Sequence, residues 1–336
     1  MIDLPVLTSQ LHPIANGLTI TADGLIAYNA PPPPPASVCF IAGGSMTNAG
    51  ARLRAYWPAQ FIAGAAVCTW ADTPPPAAAY VFQKLVDLPL MQRLRANGAA
   101  CFWDVCDPSW WFSPADVREV LAHATAVVAS NEGLADDLRE WDGRPAGVEV
   151  HVIADRLLLS HYTRQAIHAD REPVRLIWFG AAQNRMALYA AHANLQRLQA
   201  HGHRIALTIC DNAPNAPMDI EGDYPVYYTR WALETEAATL AAHDIALLPP
   251  YPGPWGAVKS NNKRLSAWAC NLPVTAGTDY EDVLTLVTDA GHRREMAAAG
   301  WRKVVACGQS QDSAQEWQTL IARYGVSMPE AAHVYS

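Results

Sequence analysis

Lys259-Ser260-Asn261-Asn262-Lys263 is the segment of this chain best furnished for chemistry. Two ammonium groups flank a hydroxyl and two amides at the start of a short helical pattern. An apolar run, Ile245 to Leu248, and a Pro/Gly loop precede it, and another apolar run begins at Pro273. That helix would start at the carboxyl end of a strand. Its first backbone N–H groups lack intrahelical partners, and the helix dipole adds roughly half a positive charge there. In an open α/β sheet, phosphate-bearing ligands bind at such a place. Lys259, Ser260, Asn261, Asn262 and Lys263 are therefore candidate ligands of a diphosphate. Lys263 is also the candidate to stabilise charge that builds on it during a reaction.

Other residues of chemical interest fall at the ends of strand patterns. Gly180 ends one and is followed by Asn184 and Arg185. Glycine lets a ligand approach the backbone, and a guanidinium suits a phosphate oxygen. Gly43-Gly44-Ser45 is the matching loop in the first half, followed by Arg52 and Arg54. Asp104 and Asp107 follow the apolar run Ala99 to Trp103 and supply two carboxylates for general-base work or for orienting a hydroxyl. Trp110, Trp111 and Phe112 offer flat faces that stack on sugar rings, and Trp231 offers one to a nucleobase. Each also has a plain structural reading, as a surface lysine, a tight turn or a core tryptophan. There is no G-x-G-x-x-G, no H-x-x-x-H and no G-x-S-x-G, so nicotinamide, metal and serine-hydrolase signatures are missing.

The elements that position these residues alternate. Apolar runs at 38–42, 65–70, 80–82, 99–103, 125–129 and 148–153 read as strands. Residues 52–62 read as a helix, Ser113-Pro114 opens another, and Ser130 caps a third bearing Leu134, Leu138 and Trp141. The rhythm lapses over 154–172, turning polar and basic. It restarts with strands at 174–179, 205–209 and 245–248 and helices at 188–198 and 233–242. Near the end, Trp317, Leu320, Ile321 and Tyr324 form an apolar stripe that suits a helix packed across the first half. The expected division is an arm and polyproline loop (1–36), an acceptor-side α/β domain (37–156), a linker (157–172), a donor-side α/β domain (173–308) and a returning helix (309–336). The expected fold class is α/β, two doubly wound Rossmann-like domains facing each other across a cleft.

The totals narrow the classes. The chain has 336 residues, enough for two domains of ordinary size, and half of it is hydrophobic. The net charge is −8, which argues against broad nucleic-acid or anionic-membrane binding. The seven cysteines are odd in number and scattered without a C-x-x-C, as in a reduced cytoplasmic protein. The first residues do not read as a secretory signal, and no apolar run reaches the length of a membrane span.

Taken together, these segments resemble the GT-B glycosyltransferases, in particular the large retaining family of sucrose synthases and many bacterial mannosyl- and glucosyltransferases. The resemblance covers roughly residues 38–305. GGSMTNAGARLRAYWPAQFI resembles that family's glycine loop and following helix. YVFQK, FWDVCDPSWW, ATAVVASNEGLADDL and HVIAD resemble the rest of its first domain. RLIWFG, AHDIALLPP and KSNNKRLSAWACNLPVTAG resemble its donor-binding half, and A-C-N-L-P-V matches the family's A-C-G-x-P-V. Two family glutamates, seven residues apart, would fall at Ser266 and near Val258–Lys259. Neither position is acidic here, which marks a divergent member.

The resemblance implies a hexosyltransferase-like enzyme using a nucleotide-diphosphate sugar as co-substrate, with no other cofactor and no metal. Asp104, Asp107 and Lys263 would be its catalytic residues. The donor side would comprise Gly43, Gly44, Gly180, Asn184, Arg185, Trp231 and residues 259–263; the acceptor side, Arg52, Trp110 and Trp111. The acceptor is unidentified: a saccharide, a lipid-linked glycan, a protein or, ranked last, DNA. Competing readings are a GT-B-fold epimerase or phosphorylase, and a nucleotide-sugar-binding subunit whose catalytic groups have decayed.

Overall fold

The computed structural model describes residues 18–20, 26–28, 36–216, 218, 220 and 222–328. The polyproline stretch Pro31–Pro35 and most of the N-terminal arm lie outside them. Leu18–Ile20 (β1) pairs antiparallel with Ile26–Tyr28 (β2).

The first sheet contains β3 (Ala36–Ala42), β4 (Ala66–Thr69), β5 (Ala77–Gln83), β6 (Ala100–Val105), β7 (Ala126–Ala129) and β8 (Val150–Val152). Its order is β4-β3-β5-β6-β7-β8, and every pairing is parallel. The second contains β9 (Val174–Gly180), β10 (Ile205–Asp211), β11 (Val226–Arg230), β12 (Ile245–Leu247) and β13 (Val274–Thr275). Its order is β11-β10-β9-β12-β13, again all parallel. The central strands are near-continuous apolar runs because helices cover both faces. Val38, Phe40, Val81, Phe102, Val128, Ile177 and Leu207 are all buried.

Strand order reverses direction once in each sheet, between β3 and β5 in the first and between β9 and β12 in the second. In an open α/β sheet, the crevice outside the carboxyl ends of the strands at such a reversal is where ligands bind. The reversal in the first sheet lies beside Gly43 and Lys84. That in the second lies beside Gly180 and the loop after Leu248.

Local structure departs from the sequence reading in a few places. The first helix runs over 49–59 rather than 52–62, and its middle, Arg52–Tyr56, is a π-helical turn. Asn131, not Ser130, caps the helix Glu132–Glu140, its side-chain oxygen accepting from the Leu134 N–H at 2.9 Å. Ser130 instead donates its backbone N–H to Val105. Helices Leu88–Ala96, Tyr280–Thr288 and Ala290–Cys307 add to those read from the sequence; Tyr280–Thr288 buries Val283, Leu286 and Val287 on one face. The last helix, Ser310–Arg323, lies on the first sheet. Its Trp317 meets Phe40 and Phe102 edge-on at 5.7 and 6.2 Å.

The two halves interlock. Leu53 and Trp57 from the first helix are buried in the core of the second half, and Val258 from the second is buried in the core of the first. Asn131 donates from Nδ2 to the Val258 carbonyl at 3.0 Å. Across the facing surfaces, Phe112 packs on Trp255 at 5.3 Å. No helix among the described residues is long and apolar enough to cross a membrane.

Candidate functional site

Lys263 sits in the first turn of the helix Asn262–Ala269. The N-cap, Asn261, makes no side-chain capping bond, so the first N–H groups of this helix are left to other partners. Lys263 makes no ion pair with any described residue. Its Nζ lies 5.2 Å from the centre of the Trp178 ring. Burial, and then the nearby charge of Lys259, bring its pKa down to about 8. Gly180 makes room for it: a Cβ there would stand 2.7 Å from Lys263 Nζ. The strand end and the helix tip thus hold one unpaired ammonium at the reversal of the second sheet. Ser260, Asn261 and Asn262 adjoin it, and their side chains make no hydrogen bond with other described residues.

Lys259 points elsewhere. It bonds Asp107 Oδ1 on the opposite half, with its Nζ 4.7 Å from the centre of the Trp255 ring. Lys84 Nζ lies 2.8 Å from Asp107 Oδ2. Burial alone would raise the Asp107 carboxyl. Hydrogen bonds and charge from Lys259 and Lys84 outweigh it and hold the group below the ordinary carboxylate value. Asp107 therefore stays ionised and paired near neutral pH, which suits positioning better than general-base work.

The structure corrects four further assignments. Asp104 does not face the cleft: it is 0% exposed and gripped by Arg54, whose Nε lies 2.8 Å from Oδ2. Arg54 also reaches Asp155 and the Ile153 carbonyl, each at 2.8 Å. Burial works against the guanidinium charge, but the two carboxylates more than restore it. Arg185 is not free for phosphate. It is buried, bonded to Asp211 and to the carbonyls of Ala213 and Ala216. Trp110 is core, and the indoles of Trp110 and Trp111 both donate to Asp137 Oδ2, at 2.6 and 2.8 Å. Arg52 is buried and bonds the Met46 carbonyl at 2.9 Å. Its guanidinium lies between the rings of Trp57 and Trp231, at 5.3 and 5.1 Å.

That arginine leads to a cluster the sequence did not reveal. Glu236 is buried and lies 3.8 Å from Arg52. It accepts from the Trp231 indole at 3.2 Å and from the Tyr162 hydroxyl at 3.3 Å. Tyr162 and Ser266 share a 2.8 Å hydrogen bond. Trp231 is thereby fixed against Arg52 and Glu236. In the first half, Gly43 donates its N–H to Gln83 Oε1 at 3.0 Å, and a Cβ there would meet the Gln83 carbonyl at 2.7 Å. Gly44 lies against Asn48, whose side chain caps the first helix. Asn184 lies within the 3₁₀ helix Ala182–Leu188 and places its side chain in no bond with another described residue. No group of three His, Cys, Asp or Glu side chains among the described residues could hold a metal ion.

Comparison with known proteins places this architecture. No protein-family profile and no curated protein matches the sequence. Solved structures do match. HepE of Anabaena, solved with UDP-glucose, aligns with a TM-score of 0.62 at 11% identity, over 85% of this chain and 99% of that one. An alpha-glucosyltransferase solved with UDP and a 13-mer DNA gives 0.60 at 9% identity, over 85% and 99%. A glycosyltransferase of Rickettsia africae gives 0.58 at 8% identity, over 86% and 98%.

The chain has the GT-B fold.

The two places that the resemblance sets against family glutamates have other partners in this fold. Val258 and Lys259 join the halves through Asn131 and Asp107. Ser266 is buried beneath Tyr162. Acidic groups there would meet a packed interface in one case and a hydroxyl already bonded in the other.

Proposed function

We propose that this protein transfers a sugar from a nucleotide-diphosphate sugar, without a metal ion. The reading rests on one observation: Lys263 is a shielded, unpaired ammonium at a helix tip, at the strand reversal of the second sheet. A leaving diphosphate gathers negative charge as the bond to the sugar breaks. Lys263 and the first N–H groups of its helix are fixed in advance to receive that charge. Ser260, Asn261 and Asn262 would complete the cradle, and Gly180 lets the ligand come close. The interlocked halves would exclude water and so limit hydrolysis of the donor. The UDP and UDP-glucose complexes of similarly folded proteins support the donor class. A cytoplasmic location belongs to the same reading, on the scattered cysteines.

The experiment is calorimetric titration of UDP into the wild type and Lys263→Ala. Loss of a hydrogen bond to a charged group costs about 1.5–3 kcal/mol, or roughly ten- to a hundredfold in Kd. Equal affinities would remove the assignment. A second reading, a nucleotide-sugar-binding subunit without turnover, is favoured by one observation: Asp104 and Asp107 are both spent in ion pairs. UDP binding with no release of the nucleoside diphosphate from any of a panel of UDP- and GDP-sugars, with every acceptor offered, would select it.

A further inference from the structure

A strip of exposed and half-buried groups crosses from one half of the molecule to the other, beside the Lys263 cradle. Phe112 stands on the first half and is 62% exposed, unlike Trp110 beside it. Its ring meets that of Trp255, from the second half, at 5.3 Å and a 48° tilt. Tyr251 extends the row, 6.1 Å from Trp255. Lys259 lies over the Trp255 ring and reaches Asp107, which also holds Lys84. Both lysine side chains are about two-fifths exposed, at 40 and 41%. The aromatic faces and the charged groups therefore adjoin along one line.

We propose that this strip is the acceptor subsite and that the acceptor is a saccharide. The inference rests on the glycosyltransferase reading and names its second substrate. A sugar ring presents an apolar C–H face and a rim of hydroxyls, each both donor and acceptor. The strip answers both. Phe112 supplies an open ring face. Each ammonium uses one donor on Asp107 and keeps others to spare, and the carboxylate keeps lone pairs. A nucleic acid fits less well. Its affinity depends on cations free to neutralise phosphates, whereas these two lysines share a carboxylate on a chain of net charge −8. Because Phe112 and Trp255 come from different halves, the subsite is whole only when the halves are joined.

The test uses the full chain with saturating UDP, applied to an array of neutral and acidic oligosaccharides and, in a second arm, to duplex DNA. UDP affinity is measured in parallel by calorimetry. The wild type is expected to retain a set of glycans. Phe112→Ala is expected to weaken that retention by about tenfold, with Phe112→Trp restoring it, while UDP affinity stays unchanged in both. Retention of DNA rather than glycans, no glycan retained by a wild type that binds UDP, or equal retention by Phe112→Ala would each overturn the proposal. Failure of the wild type to bind UDP would instead sink the glycosyltransferase reading beneath it.

Discussion

Raising the pH should loosen the grip on UDP, because Lys263 enters the cleft with a weakened proton. Its pKa is about 8, brought down first by burial and then by Lys259. About three quarters of the molecules carry the charge at about pH 7.5, and about one tenth at about pH 9. A diphosphate seated on Nζ favours the ammonium and raises its pKa, so binding takes up a proton whenever Lys263 starts neutral. The sign follows directly. Well below the free pKa the charge is present with or without ligand, and affinity is flat. Above it, affinity falls by up to about tenfold per pH unit until the pKa of the complex is reached. The phosphates of UDP are already ionised in this range, since their last pKa is about 6. Calorimetry in two buffers of different ionisation enthalpy reads both quantities. Proton uptake should rise from near zero at about pH 7 to roughly one at about pH 9.5. Lys263→Ala should abolish the uptake and flatten the profile. Wild-type affinity constant across that range, or the same slope in the variant, would refute the reasoning.

Three other perturbations separate binding from structure. Gly180→Ala puts a methyl 2.7 Å from Lys263 Nζ, so the ammonium must shift; UDP affinity should fall about tenfold, within the range for a charged hydrogen bond, and Tm should fall as well, because Gly180 holds a φ of +158° that a side chain rarely adopts. Asp104→Asn leaves the buried Arg54 charge half unpaired. It should cost about 3–5 kcal/mol, read from the urea midpoint; a normal midpoint with lost turnover would instead make Asp104 a catalytic residue. Asn131→Ala removes a helix cap and the bond to Val258. It should cost about 0.5–2 kcal/mol and, by small-angle scattering, enlarge the molecule as the halves part; an unchanged radius would show that the buried Val258 suffices to hold them.

The alternation of strands and helices could be read because each element has its own local signal. Apolar runs end at glycines, and Lys263 follows a polar turn. The two doubly wound sheets follow from that rhythm together with the handedness of parallel crossovers. Side-chain roles were harder, because the deciding partner is distant. Asp104 looks like any carboxylate at a strand end; Arg54, 50 residues away, takes it out of play. Glu236 reads as an ordinary acidic residue in the first turn of a helix. Its burial depends on Tyr162, 74 residues before it, and on Arg52 in the other half. Arg185 suits a phosphate by type, but Asp211 claims it. Within Trp110-Trp111-Phe112 the residue types do not tell which ring is open. Asp137 draws the two indoles inward and leaves Phe112 outside. Ser130 and Asn131 are both good caps, and only the backbone path chooses between them.

The most direct measurement is a crystal structure of the protein with UDP bound. The expected result places the diphosphate within hydrogen-bond distance of Lys263 Nζ and of the first backbone N–H groups of the helix Asn262–Ala269. A nucleotide bound elsewhere, or a diphosphate held without Lys263, would contradict the account.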